Sequence, residues 1–347
     1  VTLALTYEAC VRTRSRTLDC QACVQACPTE AISVDVNGAI TVALSDCVGC
    51  GQCRPACPTE ALSAPFDLDA LLAQTTGALR CGDDGLPCVA ALSSEDLITL
   101  GLRLDAITVH EGPCPTAEGH GPVAARVEEA QRVLRALGRP TVVLHHVDPL
   151  PPEAAPKPKL AEPSRRQFFA GLAGRAVDKA GPTQSGTLTR PTRMDRDAMR
   201  RVPPQRQRLL AALKDATLSA ALEGDLSFTS AKRLVPEACT ICTICVNICP
   251  TGALRATHGW RALQFNASAC VKCGLCHAVC EPDALLLEPA PQLSALITGD
   301  FAPLGRLRIT TCAECGRSHN PSTGRGGLCH ICAEMEDEAY ALSGLKP

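Results

Sequence analysis

Cysteine decides what this chain can fold into. Of 23 cysteines, 20 fall into five groups of four, at residues 10–27, 47–57, 239–249, 270–280 and 312–332, with C-x-x-C the dominant step. Two cysteines three apart in a tight loop can turn both sulfurs toward one metal centre, whereas bonding them to each other would strain the disulfide. Secreted disulfide scaffolds are usually short and irregularly spaced, and this chain has 347 residues. The pattern implies bound metal and a reducing setting, so a cytoplasmic location is expected. The opening VTLALTYEAC has too short an apolar stretch for a signal peptide. No run of about 18 apolar residues occurs, so no membrane span is expected. Aromatic residues make up only 3%, with one tryptophan, Trp260, so cores must be small and aliphatic.

The groups divide the chain. Residues 1–65 hold eight cysteines. Residues 66–148 read as a small α/β unit, with helices expected at 93–102 and 123–138 and short strands at 106–110 and 141–146. Residues 149–200, proline-rich in PLPPEAAPKPKLAEP and then basic, mark a linker. A helical segment spans 201–232, with its helix expected over 204–222. Eight more cysteines lie within 233–290 and the last four within 306–340. ACPTEAI (26–32), ACPTEAL (56–62) and CPTGAL (249–254) are near copies, and CEPDAL (280–285) is a looser fourth. Such repetition argues for a small unit duplicated within a module, and for the module occurring twice.

Cys239, Cys242, Cys245 and Cys249 form C-x2-C-x2-C-x3-C-P, and Cys270, Cys273, Cys276 and Cys280 repeat it without the proline. This closely resembles the bacterial 2×(4Fe–4S) ferredoxins. In that family three clustered cysteines hold one cluster and the fourth reaches across to the other. The resemblance implies one cluster on Cys239, Cys242, Cys245 and Cys280, and a second on Cys270, Cys273, Cys276 and Cys249. In the first module Cys47, Cys50, Cys53 and Cys57 have the full spacing, with Pro58. Cys20, Cys23 and Cys27 lack a cysteine at Thr17, and Cys10, beyond the loop VRTRSRTLD, is the replacement. The same carry-over gives Cys10, Cys20, Cys23 and Cys57 to one cluster, and Cys47, Cys50, Cys53 and Cys27 to its neighbour. Loss of Cys10 would leave a three-iron cluster. Gly49, Gly51 and Gly274 would let backbone N–H groups approach the sulfurs. Thr240, Ile241, Thr243 and Ile244 hint at a drier pocket around the third motif.

Cys312, Cys315, Cys329 and Cys332 form two knuckles, resembling zinc ribbons and, less closely, rubredoxins. Four thiolates suit Zn²⁺ or a single iron. CHIC lacks the proline and glycine usual in rubredoxins, so zinc is expected, with His319 and His330 as bystanders. Gly316 stands where a knuckle needs a left-handed backbone. The α/β unit carries Cys81, Cys88 and Cys114, and its stretch PCVAALSSEDLITLGLRLDAITVHEGPC (87–114) loosely resembles the small iron–sulfur subunit of hydrogenase and heterodisulfide-reductase assemblies. The three cysteines are read as buried or loop thiols. The alternative is an extra centre with His110 or His120 as fourth ligand.

The expected fold class is α+β, with two ferredoxin-like (βαβ)2 dicluster modules, the small α/β unit between them and a C-terminal zinc-ribbon-like module. The expected function is an electron-transfer protein or subunit with four 4Fe–4S clusters and one zinc, relaying single electrons between a donor and a larger oxidoreductase. Nothing resembles a Rossmann fingerprint, a P-loop or a nucleophile–base pair, so catalysis by the chain alone is not expected. The alternatives are a redox enzyme subunit with its own centre in the α/β unit, and a redox-sensing, zinc-dependent interaction protein. A net charge of −2 and the scarcity of aromatics argue against nucleic acid. SRRQFF (164–169) looks like a twin-arginine export motif but is followed too soon by Arg175 and Asp178. Arg12, Arg14 and Arg16, and the cluster Arg190, Arg193, Arg196, Arg200 and Arg201, read as solvated surface, or as steering for an acidic redox partner.

Overall fold

The computed structural model describes residues 3–15, 18–63, 66–82, 85–111, 122–139, 142–146, 200–220, 222, 224–257, 259–288 and 293–344. The first cysteine module is made of very short elements. Strand β1 (Ala4–Leu5) pairs antiparallel with β4 (Leu62–Ser63), and β2 (Ile32–Val34) pairs with β3 (Ile40–Val42). Between them lie one-turn helices α1 (Ala22–Gln25) and α2 (Cys53–Ala56). Ile32, Ile40 and Leu62 are buried with Cys23 and Cys53, so the core of this module packs directly on its cysteines.

The α/β unit follows its expected pattern closely and adds two elements. Helix α3 (Leu68–Gln74), capped by the Asp67 side chain, and strand β5 (Ala78–Arg80) precede the expected parts. Strands β5, β6 (Ile107–Glu111) and β7 (Val142–His146) form a parallel sheet in that order. Helix α4 (Ser94–Arg103) begins with a capping box, in which Ser93 and Asp96 satisfy each other's backbone N–H. It crosses α5 (Val123–Ala136) at Gly101, where a Cβ would stand 2.4 Å from a Leu134 methyl carbon. That approach leaves no room for a side chain.

The helix expected over 204–222 is shorter. Helix α6 (Pro204–Leu213) starts with proline at its first turn and ends within four turns. Beyond it the N–H groups of Ser219 and Ala220 both donate to the Ala136 carbonyl at the end of α5, so tertiary contact replaces the helical ladder. Helix α6 joins the units. Leu209 and Leu213 complete the core of the α/β unit, as do Leu226 and, from beyond the second module, Leu293 and Leu296. The Gln205 N–H donates to Glu60 of the first module (2.9 Å). Arg206, fully buried, pairs with Glu95 of α4 and donates to the carbonyls of Ser268 and Cys270 (both 2.7 Å) in the second module.

The second module repeats the plan of the first at larger size. Strand β8 (Ala231–Leu234) pairs with β11 (Leu285–Glu288), and β9 (Leu254–Thr257) with β10 (Ala262–Phe265), whose other edge takes β12 (Ala302–Arg306). Helices α7 (Ile244–Ile248) and α8 (Leu275–Ala278) again hold cysteines, and α9 (Leu293–Thr298) follows β11. At the C-terminus a small hairpin, β13 (Thr310–Thr311) with β14 (Ser318–His319), precedes α10 (His330–Ser343). Asn320 docks this unit on the second module by donating to the carbonyls of Pro236 (2.6 Å) and Cys239 (3.0 Å). No helix among the described residues is long and apolar enough to cross a membrane.

Candidate metal centres

In the first module the fold gathers the cysteines into two sets. Cys10 sits between two 3-10 turns, Tyr7–Ala9 and Val11–Thr13. Burial pushes its thiol up, and the nearby charges of Cys57 and Cys20 add to the effect. Burial likewise pushes Cys23 up to about 12, reinforced by Cys57, Cys20 and Cys10. Thus the loop that separates Cys10 from Cys20 returns it to the same sulfurs. Arg12 pins that loop through Gly38 O (2.9 Å), Cys20 O (2.9 Å) and Asp19 (2.7 Å). In the second set burial raises Cys53 to about 12, and Cys50 and Cys47 lead its charged neighbours, followed by Cys23 and Cys27. Cys27, Cys47, Cys50 and Cys53 line one small cavity.

The second module gives the same two sets. Burial brings Cys245 to about 12, with Cys242, Cys276, Cys239 and Cys280 adding to it. Burial also raises Cys273, with Cys249, Cys276 and Cys270 as its sulfur neighbours. Lys232 works against burial at Cys276, which stands at about 11. Crowded, partly buried thiols of this kind form a donor set suited to a shared cationic centre. On that ground the residues fit iron–sulfur clusters.

The backbone repeats as faithfully as the cysteines. The residue before the second cysteine of a motif is left-handed in Gly49 (φ 69°), Ile241 (61°) and Lys272 (50°). The residue after it is left-handed in Gly51 (73°), Thr243 (67°) and Gly274 (79°). The third residue after the fourth cysteine is left-handed in all four copies, at Glu30, Glu60, Gly252 and Asp283. Thr29, Thr59 and Thr251 each place a hydroxyl 3.7 Å from the sulfur of Cys27, Cys57 or Cys249. These threonines were legible as the repeated CPT. The hint of a drier third motif is not met. Cys242 is exposed, and Ile244 is 46% exposed because the glycine-like turns at Ile241 and Thr243 carry the loop outward. Val48 holds the matching place in the second motif and is 50% exposed.

The C-terminal four are different in scale. Among the described residues Cys312, Cys315, Cys329 and Cys332 are the one group of three or more potential metal ligands whose donor atoms all lie within 4.8 Å of one another. The Cys315 and Cys329 sulfurs are 3.8 Å apart. Zinc–sulfur bonds of about 2.3 Å in a tetrahedron give an edge of about 3.8 Å, so the set fits a single ion. Backbone N–H groups of Cys315 and Cys329 hold Cys312 down at about 6, which favours the thiolate a metal needs. Gly316 is left-handed (φ 69°) as expected. Neither histidine belongs to the set. His319 is buried with neither ring nitrogen hydrogen-bonded, and His330 lacks a partner at Nδ1.

In the α/β unit the structure brings Cys81 and Cys88 together, with sulfurs 3.7 Å apart. His110 lies on β6 in register with Arg80, the residue before Cys81. Cys114, His120, Thr17 and Arg16 lie outside the described residues, as do the SRRQFF motif and Arg190, Arg193 and Arg196. Sequence reasoning also missed Arg14 as part of a site. It feels the charges of Cys249 and Cys273 in the other module, although burial, the larger effect, lowers its pKa.

The fold and its cysteine sets define an iron–sulfur protein with an electron-transfer role. Comparison with protein families agrees: residues 18–61 match one 4Fe–4S dicluster domain and residues 238–285 match another. The chain therefore contains two 4Fe–4S dicluster ferredoxin domains. No curated protein and no solved structure matches it.

Proposed function

We propose that the chain is a single electron relay of four 4Fe–4S clusters, with one zinc in its C-terminal unit. The clusters would be held by Cys10, Cys20, Cys23 and Cys57; by Cys27, Cys47, Cys50 and Cys53; by Cys249, Cys270, Cys273 and Cys276; and by Cys239, Cys242, Cys245 and Cys280. Cys312, Cys315, Cys329 and Cys332 would hold the zinc, which has no redox role and fixes the docked hairpin and helix. Bound clusters supply one-electron chemistry. The chain's own residues bury them, aim backbone N–H groups and threonine hydroxyls at the sulfurs, and hold the modules in place.

One observation carries the reading of a continuous relay: the inner cysteine sets of the two modules face one shared cavity. Arg14, from the Cys10 loop, feels Cys249 and Cys273, and Cys20 and Cys273 line one cavity of about 780 Å³. The partner of such a relay is a larger oxidoreductase that exchanges single electrons with it. The test is anaerobic iron, sulfide and zinc analysis with electron paramagnetic resonance after reduction. We expect about sixteen irons, sixteen sulfides and one zinc, with spin-coupled signals. Replacing Cys10→Ser should convert one cluster to a three-iron form. Mostly zinc, or iron in only one module, would overturn the proposal.

A further inference from the structure

The sulfurs of Cys81 and Cys88 belong to none of the five sets. They stand 3.7 Å apart, and each accepts a backbone N–H, Cys81 from Val89 (3.4 Å) and Cys88 from Ala90 (3.5 Å). Cys88 is buried and Cys81 half-buried. The loop joining them is closed by the Gly82 N–H on Leu86 O (2.9 Å), and its glycines, Gly82 and Gly85, are left-handed with open space around them. Closing the gap to an S–S bond of about 2.05 Å therefore asks for a small movement beside two glycines with open space around them. The pair also adjoins a cluster cage. Arg54, next to Cys53, donates to the Ala91 carbonyl (3.1 Å) on the turn that Cys88 begins. Cys50 and Cys81 pack on the same apolar core as Cys88.

We infer that Cys81 and Cys88 form a two-electron dithiol/disulfide centre that exchanges electrons with the clusters of the first module, an inference that rests on the cluster reading above. In the reducing direction the two clusters give one electron each. The S–S bond breaks, two S–H bonds form, and two protons come from water. The reverse step releases the same two protons and returns the two electrons one at a time. One-electron carriers are thereby matched to the paired electrons of thiol chemistry, with Cys81 the sulfur nearer solvent.

The test uses the intact, cluster-loaded chain, poised anaerobically at a series of potentials, quenched in denaturant with iodoacetamide and digested with trypsin. Cys81 and Cys88 fall together on the peptide 81–103, which has no other cysteine. The peptide should pass from no label, two hydrogens lighter, to two labels in one wave, with a tenfold change per about 30 mV. In Cys88→Ser the remaining thiol should label at every potential while iron content and cluster signals stay as in the parent. Two labels at all potentials would overturn the inference. So would an iron or zinc lost on replacing Cys81→Ser, which would make the pair a metal site. A parent short of iron whose peptide still titrates as a pair would sink the four-cluster reading and leave a thiol couple fed by another donor.

Discussion

Among the described residues, six of the seven non-glycine residues with left-handed backbones lie in the cysteine loops, and the seventh, Trp260, lies in the turn between β9 and β10. The chain turns the same way around each set of sulfurs whichever residue stands there. Glycine does this freely, but a β-branched residue does not. At Thr243 the left-handed backbone costs about 1–2 kcal/mol, and glycine returns about 0.5–1 kcal/mol through the freer unfolded chain. Thr243→Gly should therefore raise stability by about 0.5–1 kcal/mol, read as a higher midpoint in anaerobic denaturant unfolding. Gly51→Thr should move it the other way. The cysteine motifs were legible from their spacing, and their division into crossed sets came from the resemblance to the ferredoxins. The outward set of the third motif was not, since Ile241 and Thr243 hide a glycine-like turn behind apolar letters.

Helix α6 shows the same limit at the next scale. Its start was readable from Pro204 and the spacing of Leu209 and Leu213, but its end depends on the Ala136 carbonyl, which only the fold supplies. In the sequence Arg206 is one more residue of the expected helix, yet it is fully buried against Glu95, 111 positions away, and against the carbonyls of Ser268, Cys270 and Phe228. Arg206→Met leaves Glu95 buried without its cation and should cost about 3–5 kcal/mol. Burial already raises the Glu95 carboxyl, and Arg206 opposes that rise. Without Arg206 the folded state binds a proton more readily than the unfolded one. The penalty should shrink as pH falls through the raised pKa and grow again as it rises. The double variant Arg206→Met, Glu95→Leu should recover most of the loss. Denaturant unfolding of the three proteins over a pH series checks all of these.

For the whole molecule, α6 and the Cys10 loop hold two short cysteine modules and a parallel sheet in one arrangement, and Arg14 sits where the modules meet. Removing its charge should favour the oxidised, more positive state of the cluster assigned to Cys249, Cys270, Cys273 and Cys276. Arg14→Gln should therefore lower that potential by tens of millivolts and leave the Cys239 set largely unmoved, as a redox titration followed by electron paramagnetic resonance would show. The opposite sign would place Arg14 away from that centre. Repeats and spacing revealed the parts of this assembly. Their mutual placement rests on contacts such as Gln205 to Glu60, 145 residues apart, which leave no local signature.

Val48 and Ile244, both half out in solvent between cysteines, belong to the two outer sets of the proposed relay. A carrier with one charge-accepting tip must release its donor before it meets its acceptor, so its turnover is set by two encounters in succession. A carrier with an exposed tip at each end can be occupied by both proteins at once, and current then flows through a ternary assembly without any dissociation.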